Sequence, residues 1–124
     1  MYRCILINRW WLSDSLIENY IRRTSFLDLT WSGAYSDEAL HVLQSNDYDL
    51  VIASLPAPDH DVPESILSEF RRQESLILTA LYPEYLFSGY KLNPISFIKE
   101  PFAIDSFQAA LEKFISLTCN KNSM

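Results

Sequence analysis

Glycine is nearly absent: Gly33 and Gly89 are the two in 124 residues, so no Gly-rich loop that could wrap a phosphate follows any apolar run. Cysteine is as scarce. Cys4 lies within an apolar run and Cys119 in a polar stretch, which predicts two unrelated thiols rather than a disulfide framework or a metal site, and fits a reducing cytoplasm. Basic residues never cluster beyond Arg22-Arg23 and Arg71-Arg72, and the net charge is −6, so the segment carries no electrostatic footprint for a nucleic-acid backbone. No window approaches the roughly 20 apolar residues of a membrane span. Residues 1–12 are broken by Arg3 and Arg9 and have no cleavage signal, so a soluble, non-exported, cytoplasmic chain is expected. Repeats and low-complexity runs are missing too, which argues against disorder and solenoids.

What is present is enough apolar material for one core: 48% of residues are hydrophobic. One domain over 1–118 is predicted, with 119–124 a polar tail or the start of a linker. Two periodicities alternate along it. Tyr2 to Asn8 has strand length and is followed by Leu12, Leu16, Ile17, Tyr20 and Ile21 at helical spacing, with Ser13 or Asp14 as a cap. Phe26 to Gly33 reads as a strand, then Ser36-Asp37-Glu38 opens a helix with stripe Ala39, Leu40, Leu43 and a stop at Asn46-Asp47. Tyr48 to Leu55 is almost wholly apolar, as a parallel strand covered on both faces should be, and Ile66, Leu67, Phe70 begin a third helix behind Pro63. Ser75 to Ala80 is a fourth strand, Pro83 to Gly89 a short helix ended by Gly89, Ile95 to Lys99 a fifth strand, and Phe107, Ala110, Leu111, Phe114 the closing helix. Right-handed crossovers between parallel strands make this an α/β fold, a five-stranded parallel sheet in the order 2-1-3-4-5 with helices on both faces. In such sheets the functional crevice lies beyond the carboxyl ends of the strands, around Asn8 to Trp11, Ser54 to Asp61, Ala80 to Tyr82 and Lys99 to Phe102.

Three stretches in those loops carry a resemblance: the run from Tyr48 to Asp59, with Pro58-Asp59 in place, Leu81-Tyr82-Pro83-Glu84-Tyr85, and Phe97-Ile98-Lys99-Glu100-Pro101. In register over roughly residues 2 to 117, they resemble a response-regulator receiver domain, in particular the receivers of LytTR-type transcription regulators, with their flavodoxin-like fold. The resemblance implies phosphoryl transfer to an aspartate beside carboxylate-held Mg²⁺, with a Thr/Ser and a Lys stabilising the product. Carried onto this chain, the acidic pair falls on Asn8 and Arg9, the phosphoacceptor on Ser54, the hydroxyl residue on Ala80 and the Lys on Glu100. All five depart, which removes nucleophile, metal and neutralising charge and implies a degenerate pseudo-receiver needing no metal or cofactor. Arg9 and Glu100 reverse both signs and are candidates to pair across the pocket, while Lys99 is one residue off and should face away. The family's cis Lys-Pro bond is implied here as a cis Glu100–Pro101 bond, the X-Pro penalty being only about 0.5–1 kcal/mol.

Other groupings are less apt for chemistry. Ser54, His60 and Asp61 lack a nucleophile elbow, and the adjacency of His60 and Asp61 points their side chains apart. Asp59, Asp61 and Glu64 read as a solvated loop and helix start rather than a calcium loop, and His41 has no partner at ligand spacing. Trp10 and Trp11 cannot both enter one core, so they are a lid over the pocket or an anchor for a partner. Tyr82, Tyr85, Phe87, Tyr90 and Phe97 put more aromatic surface around the short helix than it needs to bury. Tyr85, Tyr90 and Phe97, with Trp10 and Trp11, are therefore the interface candidates. The resemblance implies docking through the face made by the fourth helix, fifth strand and closing helix. The expected function is a non-enzymatic, non-phosphorylatable signalling module. It would act by protein contact, as a homodimer or with a signalling partner, in a two-component-type transcription regulator; whether a C-terminal DNA-binding domain follows outside this chain is left open. The alternative is a binder of a small anion or nucleotide, or an enzyme, using the same crevice through Asn8, Arg9 and Ser54.

Overall fold

The computed structural model describes residues 1–8, 15–59 and 61–122, the side chains of residue 15 and of residues 120–122 excepted. Strands and helices alternate: β1 (Tyr2–Asn8), α1 (Ser15–Arg22), β2 (Leu27–Ala34), α2 (Asp37–Ser45), β3 (Leu50–Ser54), α3 (Glu64–Arg72), β4 (Leu76–Ala80), a 3₁₀ helix (Glu84–Tyr90), β5 (Ser96–Lys99) and α4 (Ile104–Asn122). The sheet has five strands in the order β2-β1-β3-β4-β5, all paired in parallel, as the alternation predicted.

The pleat sorts the side chains onto two cores. Ile5, Ile7, Val51, Ala53, Leu76 and Leu78 pack with Ala39 and Leu43 of α2, Ile66, Leu67 and Phe70 of α3, and Phe87 of the 3₁₀ helix. Their strand neighbours Cys4, Leu6, Leu50, Ile52 and Ile77 point the other way, onto Ile17 and Ile21 of α1 and Phe107, Ala110, Leu111 and Phe114 of α4. Leu16, counted in the α1 stripe, instead stands 42% exposed. Every residue of β3 and β4 is buried, which fixes the central strands from both sides. Ser36 caps α2, its hydroxyl accepting the Ala39 amide at 3.1 Å, and Asn46 stops the helix in the left-handed region at φ 57°.

Two boundaries differ from the sequence reading. The short fourth helix is a 3₁₀ segment that runs past Gly89 and ends at Lys91, which takes φ 55°. A left-handed lysine costs roughly 1–2 kcal/mol, and the packing of Leu92 and Tyr90 onto the core around Phe87 offsets it. At the other end, the stretch from 119 expected as a polar tail is helical as far as Asn122. No Gly or Pro interrupts it, and Thr118 donates back to the Phe114 carbonyl at 3.0 Å, closing the preceding turn.

β2 carries a bulge: Cys4 pairs with Leu29 but Ile5 with Trp31, leaving Thr30 over, and its hydroxyl donates to the Cys4 carbonyl at 3.3 Å. Gly33 lies under the Trp31 indole, where a Cβ would come within 2.7 Å of the ring. Cys4 is wholly buried; loss of solvation, helped by the nearby Asp28 charge, pushes its thiol from about 9 up to about 12. The folded state therefore holds this proton where the unfolded chain has released it. The corresponding stability is complete below pH 9 and is lost as pH rises toward 12. Denaturant melts should show stability falling across that window, less steeply in Cys4→Ala. In the native protein Ellman's reagent should modify the exposed Cys119 alone, with Cys4 reacting only after unfolding.

Candidate functional site

β1 and β3 run in register through Ile7 opposite Ala53, and β3 and β4 through Ser54 opposite Thr79. Asn8, Ser54 and Thr79 are thus neighbours in one row at the carboxyl ends of three adjacent strands. All three fall on the side of the pleat that faces α1 and α4, as do Leu6, Ile52 and Ile77 two residues before them. The β4–β5 ladder passes through Thr79 opposite Ile98, and Glu100 continues it by donating its amide to the Ala80 carbonyl at 2.7 Å. Its side chain turns to the same face as the row.

There Oε2 of Glu100 accepts from the Ser54 hydroxyl at 3.1 Å and from the Thr79 hydroxyl at 3.0 Å. Both hydroxyls are fully buried, where an unmet hydroxyl costs about 1–3 kcal/mol in protein mutational data. The carboxylate answers both with charge-assisted bonds. The Ser54 backbone is also held, its carbonyl accepting from the Tyr35 phenol at 3.0 Å, and the Leu55 amide donates to the Thr79 carbonyl at 2.8 Å. The Glu100–Pro101 peptide bond is cis, as expected. Asn8 is 7% exposed, and its buried Oδ1 has no hydrogen-bond partner among the described residues.

The structure brings together Asn8, Ser54 and Glu100 of the expected set. Ala80 contributes no side-chain chemistry: it lies on the opposite face, in the core with Leu76 and Leu78, and offers only its carbonyl to Glu100. Thr79, which the sequence reading passed over, supplies the hydroxyl. The pleat rule that sends Lys99 to the other face also separates Ala80 from Ser54; applied to β4, it would have selected Thr79. Lys99, opposite Ala80, is exposed. Arg9, Trp10, Trp11, the Arg9–Glu100 pair and His60 lie outside the described residues.

Among the described residues, the charged group in the row is the Glu100 carboxylate. An approaching phosphoryl group would meet a carboxylate already bonded to both hydroxyls, and Ser54 has no exposed surface to act as a nucleophile. Among the described residues the acidic loop assembles no cation site. Arg71 bonds Glu64 at 2.6 Å, a contact that lowers the Glu64 carboxyl below its usual range. Among the described residues no group of three or more His, Cys, Asp or Glu is placed to hold a metal. His41 is exposed.

The aromatic surface is arranged differently from the expectation. Tyr85 is 73% exposed, but Tyr90 and Phe97 are half-buried, each ring 6.0 Å from Phe87 and packed against the core. Burial raises the Tyr90 phenol above its ordinary value. The exposed company of Tyr85 is Leu81 at 47%, Tyr82 at 40% and Leu86 at 43%. Among the described residues no helix is long and apolar enough to cross a membrane.

No protein-family model matches the chain, and no curated protein matches it. Solved structures do. The signal receiver domain of a modulated diguanylate cyclase from Desulfovibrio desulfuricans superposes with TM-score 0.73 at 13% identity, covering 98% of both chains. The response regulatory domain of mrkE from Klebsiella pneumoniae gives 0.72 at 15% identity, over 93% of this chain and 96% of that one. A mutant of the anti-anti-sigma factor PhyR from Bartonella quintana gives 0.74 at 17%, over 96% of this chain and 50% of that one. The chain has the receiver fold.

If the Glu100 carboxylate organises the row, its effects are coupled to those of its partners. Ser54→Asp sets a second carboxylate beside it and should cost about 2 kcal/mol; Glu100→Lys leaves two buried hydroxyls facing a donor and should cost about 1–2 kcal/mol. The double variant Ser54→Asp/Glu100→Lys should recover at least about 1 kcal/mol relative to additivity in urea melts. Strict additivity would mean that the contacts carry no weight.

Proposed function

We propose that the chain is a receiver-like signalling module that works without phosphorylation and acts through protein contact, within a transcription regulator of the two-component type. The observation that carries this reading is the Glu100 carboxylate bonded to the hydroxyls of Ser54 and Thr79. It occupies the place where an incoming phosphoryl group would need donors and positive charge, and Asn8 and Ser54 supply no carboxylate for a metal. The same carboxylate counts against the anion- or nucleotide-binding alternative.

The contact surface in this proposal is the apolar patch of Leu81, Tyr82, Tyr85 and Leu86 where β4 leads into the 3₁₀ helix, beside the edge strand β5. Its composition suits a docking surface for a second copy or for a signalling partner, since exposed tyrosines supply large contact area at small entropic cost. An Arg9–Glu100 pair would serve the same reading by closing the pocket from the β1 side, and a LytTR-type DNA-binding domain would be its output.

Two measurements test the proposal. Mg²⁺ with beryllofluoride should leave the amide spectrum unchanged at Asn8, Ser54, Thr79 and Glu100; localised, saturable shifts there would overturn it. Sedimentation should find association at high concentration that ignores acetyl phosphate. The double change Tyr82→Ser/Tyr85→Ser should weaken that association at least about tenfold with an unaltered melt, because exposed anchors carry binding energy without carrying the core. A dimer that survives the double change removes this patch from the proposal.

A further inference from the structure

We infer that the cleft between the α1–β2 loop and α4 is a binding site for a short apolar peptide with both termini free. The cleft lies beside the amino end of β2, away from the row of Asn8, Ser54 and Thr79, and its volume of about 680 Å³ is that of a small-molecule site. One wall is the loop from Arg23 to Phe26; the other is the face of α4 that carries Gln108, Leu111, Glu112 and Ile115 at helical spacing. The loop wall is fixed by its own bonds. The Thr24 amide donates to the Ile21 carbonyl at 3.0 Å and its hydroxyl to the Tyr20 carbonyl at 2.8 Å, while its carbonyl accepts the Leu27 amide at 3.1 Å. The Phe26 carbonyl accepts the Tyr2 amide at 2.8 Å, and the Phe26 ring stands edge-on to Tyr2 at 6.4 Å, which in turn meets Phe114 at 5.0 Å. A wall ordered before binding spares a guest most of the entropic cost of ordering it.

Three features of the lining select the guest. Phe26, which is 37% exposed, makes an apolar floor with Leu111 and Ile115. Arg23 and Glu112 bring opposite charges to the two walls, and among the described residues neither has an ion-pair partner. They do not reach each other, and the neighbouring Arg22 is already engaged with Glu18 at 3.6 Å. A guest with a single charge displaces water from both and compensates one, whereas a zwitterion sets its carboxylate on Arg23 and its ammonium on Glu112. Because the two side chains stand too far apart to pair, the guest's charges must be separated too. A free amino acid carries both on one carbon; each added peptide unit moves them roughly 3.3–3.6 Å further apart. Finally, Gln108 offers a donor and an acceptor on one side chain and Ser25 a hydroxyl, which suits the amide groups that lie between the termini of a di- or tripeptide.

Titration of the full chain with the tripeptide leucyl-alanyl-leucine, followed by amide NMR, tests the site. Saturable shifts are expected at Thr24, Ser25, Phe26, Glu112 and Ser116. Removing either terminal charge, by N-acetylation or by C-amidation, should weaken the apparent affinity about threefold or more, the scale of an ion pair at a wet rim. Arg23→Gln should weaken the free tripeptide by a similar factor and leave the amidated form unaffected, and Glu112→Gln should do the same with the acetylated form spared. Both side chains are exposed, so each variant should melt as the parent does, which separates lost binding from lost folding. The inference is overturned by the absence of saturable shifts, by capped peptides that bind as tightly as the free one, by unchanged affinity in both variants, or by variants that weaken free and capped peptides alike. Free leucine binding as tightly as the tripeptide overturns the assignment to a peptide.

Discussion

Alternation of side chains along a strand is the constraint on which the rest of this molecule depends. In a parallel sheet covered on both faces every residue must belong to one core or the other, and the choice repeats with period two. Once Leu6, Ile52 and Ile77 are committed to the α1/α4 side, Asn8, Ser54 and Thr79 follow them two residues later, at the rim where the strands end. The pocket is the continuation of the core pattern into polar residues, and its members cannot be moved singly without reversing a strand.

The energetics of that row turn on one carboxylate. A serine and a threonine brought to zero exposure need an acceptor that the neighbouring strands, whose carbonyls serve the ladder, do not offer. Glu100 enters from the end of β5 and serves both, tying three consecutive strands at their tips. It is half-buried rather than enclosed, so the two hydroxyl bonds form where the carboxylate keeps some contact with solvent. The carboxylate of Glu100 thus sets a built-in anion against the two hydroxyls.

The sheet order and the helix faces were legible in the sequence because they rest on periodicity, which burial enforces along the strands and on the inner faces of the helices. What misled were features decided by one residue's neighbours. Gly89 looked like the stop of the short helix, but the stop moved to Lys91, since the placement of Leu92 in the core outweighed a left-handed lysine. The polar composition after Thr118 looked like a tail, but polar side chains do not end a helix that has no glycine or proline to break it. Motif matching puts the hydroxyl position at Ala80, although Thr79 stands beside it. Matching motifs along the chain leaves an error of one residue, and one residue is the difference between two faces. That Asn8 Oδ1 has no partner among the described residues was beyond reach of the sequence, because it depends on the placement of other chain segments.

The bulge in β2 has a consequence at the border of the sheet. β2 and β5 are the two outer strands, and each exposes a row of amide and carbonyl groups that could take up another chain. The surplus Thr30 breaks the spacing on one border, and the four-residue length of β5 limits the other. Strand-by-strand growth into a continuous ribbon is thereby discouraged on both sides. Backbone pairing between copies is the contact that these two borders resist.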